Sequence, residues 1–453
     1  MKWLVRDTYF YKSFFSLTLV IAVQNLIAFS VNLADSMMLG AYNETALSAA
    51  AVCNQIQFLL QMMLNGIVAG MVVICAQYWG KRETEPIKKL FAVGFWLAVG
   101  MSLFLSLLAF LLPGGLLGIL TNEAEVIEEA KKYLGIIAFS YVVFALTSVS
   151  IGVMRSIEKV YIGFWVSLAA LFVNVGLNYV LIYGRLGFPE MGIRGAALAT
   201  LISRLIEFLI VLFYLRFWDK SLDLKFKDIL KFEKSYFKDF LKTGMPTVFS
   251  STSWGIAMAA QGAILGRLGA STIAASSIAT TIFQVAVVLA GGSANASNVV
   301  IGKAVGRGNM DTVKDYAKTM QLLFLAIGLF TGLLLFSSRS LIIGFYNITP
   351  ETAALAKRFV AVLSITVVGT AYQMPALTGI VSGGGDTKFV FYNDFIFMWL
   401  LVLPLSGLSA FVFRLPVIYT FIFLKSDQIL KCAVALVKVN RFKWIKILTR
   451  PAT

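Results

Sequence analysis

The chain has 453 residues, of which 59% are apolar and only 14% charged. A soluble domain is typically about 45–50% apolar and about 25% charged, so the composition excludes an ordinary soluble protein, a disordered chain and a fibrous one. The 39 Lys and Arg against 23 Asp and Glu give a net charge of +16, and no histidine is present, which excludes His-based acid–base catalysis and His-ligated metal sites. The cysteines Cys53, Cys75 and Cys432 are too scattered for a disulfide framework or a zinc site. The chain reads as an integral membrane protein with no resident metal or cofactor.

A membrane helix needs about 20 mostly apolar residues. Breaks at charged or Gly/Asn/Pro-rich points predict twelve spans, at 13–39, 46–79, 90–120, 133–154, 160–183, 192–218, 243–266, 272–302, 317–346, 356–382, 389–412 and 415–436. The first run is too long for a cleaved signal and lacks a small-residue cleavage site, so it is read as a retained helix. Only Arg414 and Pro416 separate the last two. Basic residues set the orientation, because they accumulate in cytoplasmic loops. With the N-terminus (Lys2, Arg6, Lys12) in the cytoplasm, 29 of the 39 Lys and Arg fall on that side, and both termini are cytoplasmic. The positive charge is thereby a topology signal and gives no ground for a nucleic-acid partner.

The sequence repeats at half its length. An offset of 226 aligns 35–88 with 261–314 without a gap, matching Leu39/Leu265, Gly40/Gly266, Ala49/Ala275, Ile56/Ile282, Gly66/Gly292, Val73/Val299, Gly80/Gly306 and Lys88/Lys314. Six spans per repeat is even, so both halves cross in the same sense. The expected architecture is all-α: twelve transmembrane helices in two six-helix bundles related by a pseudo-two-fold axis along the membrane normal. The bundles would comprise residues 1–218 and 243–453, with 219–242 as a cytoplasmic linker. Such repeats are characteristic of secondary transporters that work by alternating access.

Polar groups within spans are expensive in hydrocarbon and so mark function by default. On the first helix Asn25, Asn32 and Asp35 fall within an arc of about 80° at 100° per residue. Asn54, Gln57, Gln61 and Asn65 form a similar stripe on the second, and Asn174 and Asn178 stand one turn apart on the fifth. These faces would line a wet cavity; the alternative is that the amides join helices. At offset 226, Asp35, Gln57, Gln61 and Asn65 correspond to Gln261, Phe283, Val287 and Gly291, so the stripe belongs to the first half alone. Arg204 and Glu207, three residues apart in the sixth span, suit a self-neutralising ion pair. Asp394 in the eleventh span is either a second ionisable site or a partner of Lys388. The run Ser250–Trp254 gives the seventh helix a polar, partly aromatic stretch, with Trp254 in the substrate cavity. Pro246, Pro375 and Pro404 mark expected kinks.

Several short motifs together resemble the multidrug and toxic compound extrusion (MATE) transporters over nearly the whole chain. They are Asn32-Leu-Ala-Asp35-Ser-Met-Met-Leu-Gly40, Ala76-Gln77-Tyr-Trp-Gly80, Asn174-Val-Gly-Leu-Asn178, Gly192-Ile-Arg-Gly195-Ala-Ala-Leu-Ala-Thr200, Gly244-Met-Pro246, Gly302-Lys-Ala-Val-Gly306 and Gly383-Gly-Gly-Asp386-Thr-Lys388. The resemblance implies a bacterial inner-membrane antiporter, driven by H⁺ or Na⁺, that exports amphipathic and often cationic organic compounds. It is closer to the DinF-like branch, whose pattern puts the coupling ion at Asp35, Asn174, Asn178 and Thr200. This chain has Asn178 where that branch carries a second acid. The NorM-like branch uses acids in the seventh and tenth helices, and this chain has none there. The substrate cavity would then comprise Asn32, Asn54, Gln57, Gln61, Asn65, Arg204, Glu207, Trp254 and Asp394.

The expected partners are small organic substrates and membrane lipids, and the chain is expected to act as a monomer. A lipid-linked precursor flippase of the same superfamily is the alternative; it would need basic residues in its cavity, where only Arg204 is available. A membrane-embedded enzyme is disfavoured by the absence of His, of a P-loop and of paired loop acids. A two-fold repeat with a one-sided polar cavity suits gated exchange better than a channel.

Overall fold

Helices end where the sequence supplies charge, glycine or a capping residue. The computed structural model describes residues 4–346 and 348–451, so Lys2 lies outside it. Besides short helices at Pro113–Leu120, Phe226–Leu230 and Lys234–Thr243, its first half supplies α1 (Thr8–Tyr42), α2 (Glu44–Gly80), α3 (Glu85–Leu111), α4 (Ala124–Ser156), α5 (Tyr161–Tyr183) and α6 (Ile193–Trp218). The second half supplies α7 (Met245–Gly266), α8 (Ala270–Ala286 and Val288–Gly306), α9 (Met310–Gly344), α10 (Pro350–Val381), α11 (Thr387–Val412) and α12 (Val417–Lys425 and Asp427–Asn440). No strand occurs among the described residues. Each expected span thus has a helical counterpart. Asn309 caps α9 by accepting from the Thr312 amide, and Thr349 caps α10 with Pro350 in its first turn. Gly184 ends α5 at φ +64°, a left-handed conformation that glycine adopts without strain.

Among the described residues, nine segments are long and apolar enough to cross a membrane, and α8, bent by 41° at its break, makes a tenth. α7 is diluted by Ser250–Ser253, and α12 is interrupted at Ser426 into pieces of 9 and 14 residues. Two of the three prolines coincide with altered helical bonding. α10 widens to a π-helix from Pro375 to Val381, and α11 widens on both sides of the turn holding Pro404. A proline lacks the N–H and crowds the carbonyl four residues back, which loosens the helical bonding. Pro246 lies at the start of α7, where its missing N–H is harmless.

Two of the three repeated glycine pairs, Gly66/Gly292 and Gly80/Gly306, are places where helix backbones touch, whereas Gly40 meets only the Leu47 side chain and Gly266 faces open space. A Cβ on Gly80 would meet the Lys303 carbonyl oxygen, and one on Gly306 would meet that of Gln77. Adding 226 to Gln77 and Gly80 gives Lys303 and Gly306, so the two contacts are the same contact exchanged. Likewise Gly66 lies against the backbone of Thr247 and Val248, and Gly292 against Thr18 and Ala22, with Ala22 and Val248 again 226 apart. A self-complementary pairing of this kind is what a two-fold repeat requires.

The described chain forms two compact units. One holds α1 up to Ala22, the end of α2 at Ala76–Arg82, and everything from Phe249 onward; the other holds Val23–Cys75 and Glu83–Val248. The connector belongs to the latter unit and is pinned within it. Buried Asp219 accepts from Lys159 Nζ at 2.5 Å and from the Ser221 and Leu222 amides. The Trp96 indole donates to the Ile229 carbonyl at 2.9 Å, and Lys89 pairs with Glu233 at 2.7 Å.

In the other unit the segment after α12 folds back as a strap. Gln77 Nε2 donates to the Lys446 carbonyl, the Leu448 amide donates to Gln77 Oε1, and the Arg450 amide donates to the Tyr78 hydroxyl. Trp444 fills the place a Cβ on Gly384 would take, and Gly385 sits at φ +102°. Asp386 pairs with Lys438 at 2.8 Å and Lys446 at 2.7 Å. Burial pushes its carboxyl up, but the hydrogen bonds from Lys438 and Lys446 outweigh this and hold it below the usual carboxylate range.

Candidate functional site

Asp35 lies about two turns before the end of α1, opposite the amides of α5. Its Oδ1 accepts a hydrogen bond from Asn178 Nδ2. The same Asn178 amide donates to Asn174 Oδ1 at 3.1 Å, and Asn174 Nδ2 donates to Thr200 Oγ1 at 3.3 Å. Asn174 and Asn178 reach one another because they stand i and i+4 on one helix face. Both are fully buried, and Thr200 is nearly so. Asn178 Oδ1 is a buried oxygen with no hydrogen-bond partner. The four residues Asp35, Asn174, Asn178 and Thr200 therefore form one connected cluster, brought together from α1, α5 and α6.

The cluster borders a cavity of about 110 Å³. Asn32, Asn54, Gln57, Gln61, Arg204 and Glu207 line it, as does Tyr133 from α4. Asn65, one turn further along the α2 stripe, is exposed and is not in the lining. Arg204 and Glu207 do not close the ion pair that their spacing suggested: among the described residues neither takes part in a salt bridge. The Arg204 guanidinium instead stacks on Phe144, 4.0 Å from the ring centroid, leaving its Nε without a hydrogen-bond partner. The flat guanidinium face suits an aromatic ring, so stacking competes with pairing. Phe144 and Tyr133 were not legible as site residues, because an aromatic in an apolar span carries no distinguishing pattern.

Trp254 and Asp394 belong to the other compact unit and are not in the lining of that cavity. Asp394 Oδ2 accepts from Ser250 Oγ at 2.8 Å, and Oδ1 accepts from Lys431 Nζ at 2.9 Å. Lys431 is 4% exposed and also pairs with Asp427 at 3.4 Å. This corrects the alternative that paired Asp394 with Lys388: its partner is Lys431. The signal was present in the sequence as Asp427 and Lys431 at i and i+4 within the twelfth span. Trp254 lines a void of only about 10 Å³ beside this pair and is itself 43% exposed. Nearby, Trp399 Nε1 donates to Ser253 Oγ at 2.7 Å and Lys425 Nζ donates to Gln261 Oε1 at 3.3 Å.

Twelve helical spans in two halves related by 226 residues, with a carboxylate set among buried amides beside a polar cavity, define a secondary transporter. The chain belongs to the MatE family, whose model matches residues 21–180 and 246–408. It is 27% identical over 444 residues to the probable multidrug resistance protein NorM of Thermotoga maritima, covering 97% of this chain and 94% of that one. It is 24% identical over 400 residues to the uncharacterized transporter YisQ of Bacillus subtilis, covering 87% of each. Its fold matches the crystal structure of a mutant of the Vibrio cholerae MATE transporter VcmN with a TM-score of 0.85 at 17% identity, over 97% of this chain and 98% of that one. Membership makes the chain a multi-pass membrane transporter and not an enzyme.

Proposed function

We propose that the chain exports amphipathic, often cationic organic compounds by alternating access, in exchange for H⁺ or Na⁺ taken up at Asp35. The relatives named as multidrug resistance proteins support the substrate class. The observation that carries the coupling role is the company Asp35 keeps. Its hydrogen-bond partner is an amide, and although the Arg204 guanidinium lines the same cavity, no ammonium or guanidinium group comes within ion-pair distance of it among the described residues. A carboxylate in such surroundings needs a proton or a cation to be neutral. The unpartnered Asn178 Oδ1 and the Thr200 hydroxyl are hard oxygen donors of the kind alkali cations take.

The size of the cavity supports dividing the labour. Organic ligands occupy sites of roughly 300–1,000 Å³, whereas the Asp35 cavity holds about 110 Å³. That is room for an ion with water and too little for a drug. We therefore assign Asn32, Asn54, Gln57, Gln61 and Glu207 to the ion's hydrated surroundings rather than to the organic substrate. Loading of Asp35 and release of a cationic substrate would then alternate, so that charge is exchanged. The coupling set is the one implied by the DinF-like resemblance, with one carboxylate and Asn178 in place of a second. The basic bias supports a bacterial inner-membrane location with both termini in the cytoplasm.

The test is transport of a fluorescent organic cation in proteoliposomes with Na⁺ and pH gradients imposed separately. At least one gradient should drive accumulation against the dye's own gradient; movement indifferent to both would sink the antiport reading.

A further inference from the structure

A long apolar groove of about 870 Å³ runs along α9, α10 and α12, within a single compact unit. Its walls include Leu325, Leu329, Leu333 and Leu436, whose side chains are 42–71% exposed. At two lining positions the helix backbones touch: Gly332 lies against the Ser364 carbonyl and Gly369 against that of Gln428.

One end of the groove is polar. Gln321 Oε1 accepts from the Tyr372 hydroxyl at 2.8 Å and from Asn440 Nδ2 at 3.2 Å. Lys318 lines this end one turn before Gln321, with its ammonium 5.8 Å from the Phe442 ring centroid. Arg441 follows Asn440, and residues 441–450 carry Arg441, Lys443, Lys446 and Arg450 without an acid. Lys446 is already paired with Asp386, so the positive charge at this end of the groove is that of Lys318 in the lining and of Arg441, next in sequence to Asn440. From Gln321 to Phe336 the apolar wall rises about 22 Å at 1.5 Å per residue, more than the roughly 15 Å hydrocarbon depth of one leaflet.

We propose that this groove is a binding site for one anionic glycerophospholipid, its acyl chain along Leu325–Leu333 and its phosphate at the rim formed by Lys318, Arg441 and the Gln321–Tyr372–Asn440 cluster. The positive rim selects against the organic cations exported by the protein, which share the chain's apolar requirement but carry the wrong charge. The Tyr372, Asn440 and Gln321 donors are taken up by one another and by the Ala317 and Leu436 carbonyls, so this cluster fixes the end of the groove while Lys318 and Arg441 supply the charge that a phosphate takes. The site is independent of Asp35, which lies in the other compact unit.

The experiment uses the full chain in phosphatidylcholine vesicles containing a small fraction of photoactivatable phosphatidylglycerol, or the same fraction of photoactivatable phosphatidylcholine, with adducts mapped by peptide mass spectrometry. Phosphatidylglycerol adducts should concentrate on Leu325, Leu329 and Leu436 and exceed those of phosphatidylcholine. A lysine near an anionic headgroup contributes about a fivefold preference, so Lys318→Gln should reduce that excess about fivefold, while Lys318→Arg retains it. Leu329→Trp, which fills the groove, should remove the adducts there. Equal labelling by the two lipids, an excess unchanged in Lys318→Gln, or displacement of the label by tetraphenylphosphonium would each overturn the proposal. Dye export by Lys318→Gln serves as the folding control and should match that of the parent chain.

Discussion

Asp35 and Asp394 are both carboxylates on membrane-spanning helices, and their partners separate them. Asp394 meets an ammonium, Lys431, and a serine hydroxyl. Asp35 meets the amide of Asn178, which hydrogen-bonds a charge without cancelling it. The first arrangement is already neutralised by the protein and is suited to holding α7, α11 and α12 together. The second leaves a charge for a mobile cation to neutralise. Depth in a span thus marks both residues as unusual, and only the chemistry of the neighbour tells a joint from a coupling site.

The sharpest way to break this comparison is to remove the fixed cation. Lys431→Met strands Asp394 and Asp427 without their partner and should cost about 3–5 kcal/mol, the usual penalty for halving a buried ion pair. Unfolding in detergent monitored against denaturant reads this directly. Adding Asp394→Leu to Lys431→Met should restore part of the loss.

Next comes the same substitution at both carboxylates. Asp394→Asn weakens a charge-assisted pair and should lower stability by about 1–3 kcal/mol. Asp35→Asn removes a charge that no protein cation pairs, so it should leave stability unchanged or raise it. A matching loss at both sites would erase the distinction drawn here.

The repeat offers a smaller test within α2 and α8. Gly306→Ala forces a Cβ onto the Gln77 carbonyl and should cost about 1–3 kcal/mol, whereas Gly100→Ala, with open space around it, should stay within about 0.5 kcal/mol of the parent. Equal melting temperatures for the two variants would contradict the close crossing.

The smallest effect concerns pH at the strap. Asp386 has a folded-state pKa below its unfolded value, so its ion pairs contribute fully above the ordinary carboxylate range. That contribution fades as pH falls below about 3.9, the unfolded value, and through the lower folded one. Asp386→Asn should therefore destabilise the chain at neutral pH and converge with the parent in acid. A constant difference across that range would remove Asp386 from the account.

Much of the fold was legible because hydrocarbon imposes long apolar runs, and the 226-residue offset pointed at Gly66/Gly292 and Gly80/Gly306, which are backbone crossings, as well as at Gly40/Gly266, which are not. The motifs behind the family resemblance divide unevenly. Asp35, Asn174, Asn178 and Thr200 meet at one site, while Gln77, Gly80, Gly306 and Gly383–Asp386 belong to helix crossings and the strap. Local spacing misled at Arg204 and Glu207, since i and i+3 permits a pair but cannot show Phe144 competing for the guanidinium. It also failed to join Asp394 to Lys431, 37 residues apart, because only the packing of α11 on α12 brings them together. Tyr133 was invisible for a similar reason.

The most direct test of the central claim compares Asp35→Asn and Asp394→Asn in proteoliposomes, following export of an organic cation under separately imposed Na⁺ and pH gradients. The account predicts that Asp35→Asn loses gradient-driven export while folding normally, and that Asp394→Asn retains it wherever it folds. Full export by Asp35→Asn under either gradient would contradict the account.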